Sequence, residues 1–268
     1  DYYASRGLGD VYKRQVLGVE KQYLVIHLSD ELNAEDYIKF KENINKLING
    51  KPLQYITNNQ EFMGLNFFVN ENVLIPQPDT EIIVEETLKK CKELLLKNGK
   101  IRILDLCTGS GAIAVSLSNF LGDEAEVFAS DISTKALEVA KNNNEKNNTN
   151  VRFIESNLFE NIQEQKFNII VSNPPYIRSN VINNLPKQVQ NEPHLALDGG
   201  EDGLKFYKKI IEQACNYIEN GYLILEIGYD QKEDVENLLK ENKNYSEIKT
   251  IQDFSGNDRC VIAKVGKI

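Results

Sequence analysis

The chain has 268 residues, 41% of them hydrophobic, and a formal net charge of −9. That share supports one large domain or one domain with a small companion, and the acidic balance argues against a protein whose main task is gripping nucleic acid. No apolar run approaches the roughly 20 residues that span a bilayer, and no secretion signal is read, so a cytoplasmic chain is expected. Four cysteines without a C-x-x-C pair read as reduced thiols. Two histidines leave little for His-base chemistry or a metal site, and no metal is expected.

Residues 1–15, DYYASRGLGDVYKRQ, show no clean periodicity and are set aside as an artefact or a disordered terminus. Residues 16–60 read as a helical N-terminal domain. VLGVEKQYLVIHL comes first, then a cap at Ser29-Asp30. A helix follows in which Tyr37, Phe40, Ile44, Leu47 and Ile48 recur at helical spacing, and Gly50 ends it. Residues 61–75 read as a β-hairpin linker turning at Met63-Gly64. From Pro76 to residue 268 the pattern is that of the main domain. Asp79 or Thr80 caps its first helix.

Strands and helices then alternate. IRILDL (101–106) is a buried strand, GAIAVSLSNFL a helix, and EVFASD (126–131) a second strand. STKALEVAKNNNEK is a helix capped by Ser133. VRFIES and FNIIVS (167–172) are the third and fourth strands. LKFYKKIIEQACNYI reads as a helix, GYLILEIG (221–228) as a fifth strand, and QKEDVENLLKE as a helix. YSEIKTIQDF and RCVIAKV close as a strand pair. The repeated β-α-β order predicts an α/β fold: a doubly wound, mostly parallel sheet with an antiparallel terminal edge. The asparagine-rich KNNNEKNNTN (141–150) reads as a solvated helix end and loop.

The first strand ends in Asp105-Leu106-Cys107-Thr108-Gly109-Ser110-Gly111. Gly109 and Gly111 let a ligand approach the backbone where strand feeds helix. Asp131, twenty residues beyond Gly111, closes the second strand and is placed to accept from a ribose diol. Taken separately, a tight turn and a helix cap explain these residues; together they indicate a nucleoside cofactor. Ala114 stands where a dinucleotide fingerprint has its third glycine. Asp105 would repel a pyrophosphate but not a cofactor bearing sulfonium and ammonium charges. D-L-x-T-G-S-G resembles the S-adenosylmethionine site of Rossmann-like methyltransferases.

The fourth strand runs into Asn173-Pro174-Pro175-Tyr176. Prolines cannot donate to a ladder, so this is a stiff exit at the sheet edge where ligands bind. A proline turn that merely stops the strand is the bland alternative. The motif resembles that of amino-methyltransferases, and the chemistry fits. An amide nitrogen is a poor nucleophile and must be positioned. Asn173 Oδ1 and the Pro174 carbonyl can each accept one of its N–H groups, which stabilises positive charge growing on nitrogen. Tyr176 can pack on the planar group.

The segments KPLQYITNNQEFMGLNFFVNENVLIPQPDTE, ILDLCTGSGAIAVSL, VSNPPYI, EPHLALDGGEDGL and DFSGNDRCV together resemble the release-factor glutamine methyltransferases, from about Lys51 to Val261. The resemblance implies S-adenosylmethionine held by the loop Cys107 to Gly111, with Asp131 on its ribose and Asn173 touching both cofactor and substrate; Leu158, which departs from the family pattern, can still pack on the adenine. It implies that Asn173, Pro174, Pro175 and Tyr176 clasp a glutamine in the Gly-Gly-Gln tip of class I peptide-chain release factors. The helical N-terminal domain, which is short by a helix or more, would help dock that partner. A monomer is expected. The competing reading is a nucleic-acid adenine or guanine amino-methyltransferase.

The chain departs from the family pattern in places. Gln77 stands where arginine is usual, Asn157-Leu158 replaces an acid-plus-aromatic pair, and Cys107 stands where glycine is common. A Cβ at Cys107 is tolerable if its φ stays negative. Tyr55 and Phe67-Phe68 read as core, His194 as structural or exposed, and Glu192-Pro193 as a prop for the Asn-Pro-Pro-Tyr loop.

Overall fold

The computed structural model describes residues 19, 21–27, 31, 33–163 and 165–266. The segment 1–15 and the Ser29-Asp30 cap lie outside the described residues. Helices α1 (Lys21–Ile26), α2 (Ala34–Ile48) and α3 (Leu53–Thr57) come first. Asn33 caps α2, its Oδ1 accepting from the Asp36 N–H at 2.9 Å.

The hairpin forms as its pattern predicts. β1 (Gln60–Phe62) and β2 (Leu65–Phe67) pair antiparallel across Met63-Gly64, both at positive φ (52° and 74°). A two-residue loop with two positive φ values matches the twist of the flanking strands. Pairing stops at Phe67, and 68–75 run on without a strand. The Met63 N–H donates to Glu81 Oε1 at 2.6 Å, which fastens the hairpin to α4 (Glu81–Asn98). The predicted Asp79/Thr80 cap is absent. Pro78–Thr80 form a 3-10 turn running straight into α4, and Thr80 has helical φ and ψ (−71°, −18°) with no capping bond. Its hydroxyl is used elsewhere.

The main domain continues as β3 (Ile101–Leu106), α5 (Ala112–Leu121), β4 (Ala125–Asp131), α6 (Thr134–Lys146), β5 (Val151–Glu155) and β6 (Phe167–Ser172). Three short helices follow: α7 (Ser179–Ile182), α8 (Lys187–Gln190) and α9 (His194–Leu197). Then come α10 (Lys205–Ala214), β7 (Ile218–Glu226), α11 (Lys232–Glu241), β8 (Tyr245–Gln252) and β9 (Asp258–Val265). The sheet order is β5-β4-β3-β6-β7-β9-β8, with parallel pairing up to β7 and antiparallel pairing beyond it. Helix α10 stops before the end of its predicted stretch. The Phe167 N–H donates to the Tyr217 carbonyl at 2.8 Å and draws the following residues into β7.

Strand β3 is central and buried on both faces. Ile101 and Ile103 join one apolar cluster, Leu104 and Leu106 the other. Such a strand reads as a continuous apolar run rather than an alternation. Burying each of these side chains contributes about 1.5–3 kcal/mol. From β3 the chain winds outward through β4 to β5, then returns to β6 on the other side. The crevice beyond the carboxyl ends of β3 and β6 is therefore the switch point where ligands bind in open α/β sheets. Leu106 pairs with Ser172, and the Ser172 hydroxyl donates to the Leu106 carbonyl at 2.7 Å. Cys107 and Asn173 leave their strands side by side.

The asparagine-rich segment is not merely solvated. Asn143 is fully buried; its Nδ2 donates to the Ser110 and Phe68 carbonyls, each at 2.9 Å, and its Oδ1 accepts from the Phe68 N–H at 2.6 Å. It joins the hairpin's exit to the glycine turn. Asn143→Ala leaves these groups unpaired and is expected to destabilise the fold by about 2–4 kcal/mol. Chemical denaturation of variant and wild type checks this.

Candidate active site

The glycine turn is held from beneath. Asp105 is wholly buried; its Oδ2 accepts from the Thr108 hydroxyl at 2.6 Å and from the Ala114 N–H at 3.2 Å. Its Oδ1 has no partner among the described residues. Burial pushes this carboxyl up to about 7, and the charge of Asp131 adds to the rise. Thr108 donates its N–H to the Ser130 carbonyl at 2.9 Å, tying the turn to β4, and Gly111 caps α5. The Asp131 carboxylate accepts from the Gly109 N–H and the Ser133 N–H, both at 2.9 Å. Each oxygen keeps a further lone pair. A Cβ at Gly109 would meet no protein atom within 4 Å and would project into open space, so the turn leaves room for a ligand against its backbone.

The condition for an unstrained Cβ at Cys107 is not met: the residue sits at φ 60°. Leu158 is likewise left-handed, at φ 51°. A non-glycine residue in this region costs about 1–2 kcal/mol. Both line the same cleft, and such strain concentrates at sites held open for a ligand. Cys107 is half-buried, and desolvation raises the pKa of its thiol, which favours the protonated form.

The cleft holds about 320 Å³. Of the predicted site residues, Cys107, Gly109, Asp131, Leu158, Asn173 and Pro175 line it. Asp105, Thr108, Ser110, Gly111, Pro174 and Tyr176 do not reach its wall; they stand behind it or beside it. Other wall residues carried no sequence signal, notably Asn72 and Leu74 from the stretch after the hairpin, and Phe206 and Lys209 from α10. Ile132, half-exposed and directly after Asp131, was the one hint. The wall fits S-adenosylmethionine. An acid closes β4 on the cleft wall, the glycine turn is uncovered, and two neighbouring carboxyls both have raised pKa values that a cationic ligand would relieve. A pyrophosphate would worsen them.

Asn173 Nδ2 donates to the Thr80 hydroxyl at 3.3 Å, leaving Oδ1 and the Pro174 carbonyl without donors among the described residues. Tyr176 donates its phenol to Glu226 Oε1 at 3.3 Å. Gly199 packs beneath Tyr176, where a Cβ would come within 2.7 Å of the tyrosine Cα. Gln231 clips three segments: Nε2 donates to the Tyr176 and Gly203 carbonyls at 3.0 and 3.2 Å, and Oε1 accepts from the Gly228 N–H at 2.9 Å. Tyr55 and Phe67 are core and His194 is exposed.

Glu192 is not the predicted prop for the Asn-Pro-Pro-Tyr loop. Its Oε2 accepts from the Ile75 N–H at 2.9 Å and so holds the stretch after the hairpin, while Pro193 lines the cleft. Burial pushes Glu192 up to about 7, and the Ile75 bond opposes the rise. A carboxyl raised in the fold contributes stability fully below its unfolded value, about 4.5, and loses it as pH rises through about 7. Glu192→Gln is therefore expected to melt with a smaller drop between pH 5 and 8 than wild type, measured by paired thermal melts.

A parallel sheet with this switch point, a glycine turn after its first strand and an acid closing the second define a Rossmann-like S-adenosylmethionine-dependent methyltransferase. A family model of the methyltransferase small domain matches residues 86–254, and one of the PrmC N-terminal domain matches residues 11–57. Release factor glutamine methyltransferase of Fusobacterium nucleatum is 42% identical over 93% of this chain and 70% of its own length. That of Bacillus subtilis is 37% identical over 93% and 88%. The chain belongs to the release factor glutamine methyltransferase family. A methyltransferase structure from Pyrococcus furiosus shares the fold with a TM-score of 0.57 at 21% identity, over 85% of this chain and 100% of that one.

Proposed function

We propose that the Asn173–Tyr176 turn binds the side-chain amide of the glutamine in the Gly-Gly-Gln motif of class I release factors and that this amide nitrogen receives the methyl group. The observation that carries this is the Asn173 amide: Nδ2 is engaged by Thr80, and Oδ1 is left to the cleft. Oδ1 accepts one substrate N–H and the Pro174 carbonyl the other. Both interactions strengthen as positive charge grows on nitrogen, so they favour the transition state over the ground state. Tyr176 packs on the planar amide. S-adenosylmethionine, when bound, supplies the methyl group as an electrophile on a cationic sulfur. Asp131 holds its ribose diol, the Cys107–Gly111 turn its amino-acid end and Leu158 its adenine. The methylated amide loses its extra proton to water, so the chain needs no titrating base, in keeping with its two histidines.

The helical segment up to residue 60 docks the release factor, the main domain works as a monomer in the cytoplasm, and nucleic acid is not bound directly. Labelled cofactor, offered with a release factor, with its Gln→Ala tip variant, and with total RNA and DNA, tests the reading. Label on the wild-type factor alone is the expected result. Label on nucleic acid would replace this reading with an adenine or guanine amino-methyltransferase.

A further inference from the structure

Glu226 closes β7, is 2% exposed, and takes no part in the steps above. Its Oε1 accepts from the Tyr176 phenol. Its Oε2 has no hydrogen-bond partner among the described residues. Its carbonyl accepts from the Tyr207 hydroxyl at 2.8 Å, which fixes the strand end. Thr80, Arg259, Tyr176 and Asp79 surround the carboxyl, and Tyr207 and Cys260 also feel its charge. Arg259 Nη2 reaches Asp79 and Asp253, each at 3.2 Å, and although its charge acts on Glu226 it makes no ion pair with that carboxyl. A buried carboxyl without a close ion pair is costly, so its retention calls for a use.

Thr80 supplies the link. Its oxygen accepts from Asn173 Nδ2, and a hydroxyl has one proton to give. Glu226 is the carboxyl that this hydroxyl influences, and its Oε2 is left without a partner among the described residues. We propose that Glu226 is a positioning residue for methyl transfer: through Thr80 it sets which way the Asn173 amide faces, and through the phenol it holds Tyr176 at the other end of the same turn. Orientation matters because a flipped Asn173 would present Nδ2, a donor, to a substrate that also donates. Thr80 alone cannot choose, since a hydroxyl can donate or accept and so suits either orientation. An ionised carboxylate only accepts. Its partnerless Oε2 draws the Thr80 proton toward itself, which leaves the Thr80 oxygen as acceptor and thereby selects Nδ2 toward Thr80 and Oδ1 toward the cleft. Burial pushes Glu226 up to about 7, so the selecting form is lost on the acid side of neutrality.

This inference rests on the reading of Asn173 as acceptor of the substrate amide. The test measures kcat, cofactor affinity and circular dichroism for wild type and for N173A, E226Q, T80A and T80S. E226Q and T80A should each lose roughly 10²-fold in kcat, the scale of a misplaced reactant, with cofactor affinity unchanged. T80S should stay near wild type, and the E226Q/T80A double variant should be no worse than either single one. Wild-type kcat should rise with pH through about 7, and E226Q should lack that rise. Wild-type kcat and pH profile in E226Q, or T80S as impaired as T80A, would overturn the proposal. If E226Q does not fold, the T80A and T80S pair decides. A wild-type rate in N173A would instead sink the reading of Asn173 itself.

Discussion

Asn173→Ala is expected to slow methyl transfer to the release factor by about 10²–10³-fold, the usual loss when one preorganised partner of a developing charge is removed. The geometry sets both size and kind of effect. Asn173 leaves β6 beside Cys107, on the cleft wall, with its Nδ2 already engaged and its Oδ1 without a donor among the described residues. Alanine removes the acceptor and leaves the substrate N–H to water in a confined site. The cofactor contacts proposed for Asp131 and the glycine turn should stay in place. Loss should therefore fall on the single-turnover rate, with cofactor affinity changed far less. Asn173→Asp is the informative companion. It keeps an acceptor toward the cleft but replaces the donor facing Thr80 with a second acceptor, so it should retain part of the rate. A near wild-type single-turnover rate in Asn173→Ala would show that the amide nitrogen is held by something else.

The second large effect belongs to Asp131. Hydrogen bonds to a charged group contribute about 1.5–3 kcal/mol each, and a ribose diol offers two. Since about 1.4 kcal/mol is tenfold in affinity, Asp131→Ala should weaken cofactor binding by roughly 10²-fold or more. The carboxylate also holds the Gly109 and Ser133 N–H groups, so its removal loosens the turn that the cofactor lies against. Asp131→Asn retains one acceptor and should fall between alanine and wild type. Titration calorimetry with the cofactor reads all three. Unchanged affinity in the alanine variant would remove the ribose assignment.

Most of the fold was legible because its signals are local. IRILDL and FNIIVS carry apolar residues on both faces, as strands buried on both sides do, with polar residues only at a few positions. The glycine turn and Asp131 lie at the ends of such runs, so their meeting followed from the alternation of strand and helix. What stayed hidden were partner choices across long stretches of chain. Asn143 reaches Phe68 75 residues away, Glu192 reaches Ile75 across 117, and Asn173 reaches Thr80 across 93. A buried asparagine and a solvated one look alike in sequence, and KNNNEKNNTN gave no sign of which it held. Thr80 read as a cap because a threonine before a helix commonly is one; the tertiary demand of Asn173 outweighed that preference. The left-handed backbone at Cys107 was hidden for a similar reason. The path of the chain over the end of β3 sets its φ, and side-chain type does not report that path.

The Gln231 clip has a consequence for how the site comes apart. One amide, 1% exposed, bonds Tyr176, Gly203 and Gly228 at once. Each of these segments loses a hydrogen bond to the same buried side chain when it lifts away, which couples their opening. In deuterium exchange, the amides of the three segments would share one opening free energy rather than fray in turn. On the proposed reading of the Asn173–Tyr176 turn, the part of the site that clasps the amide would then be lost or regained together with its neighbours.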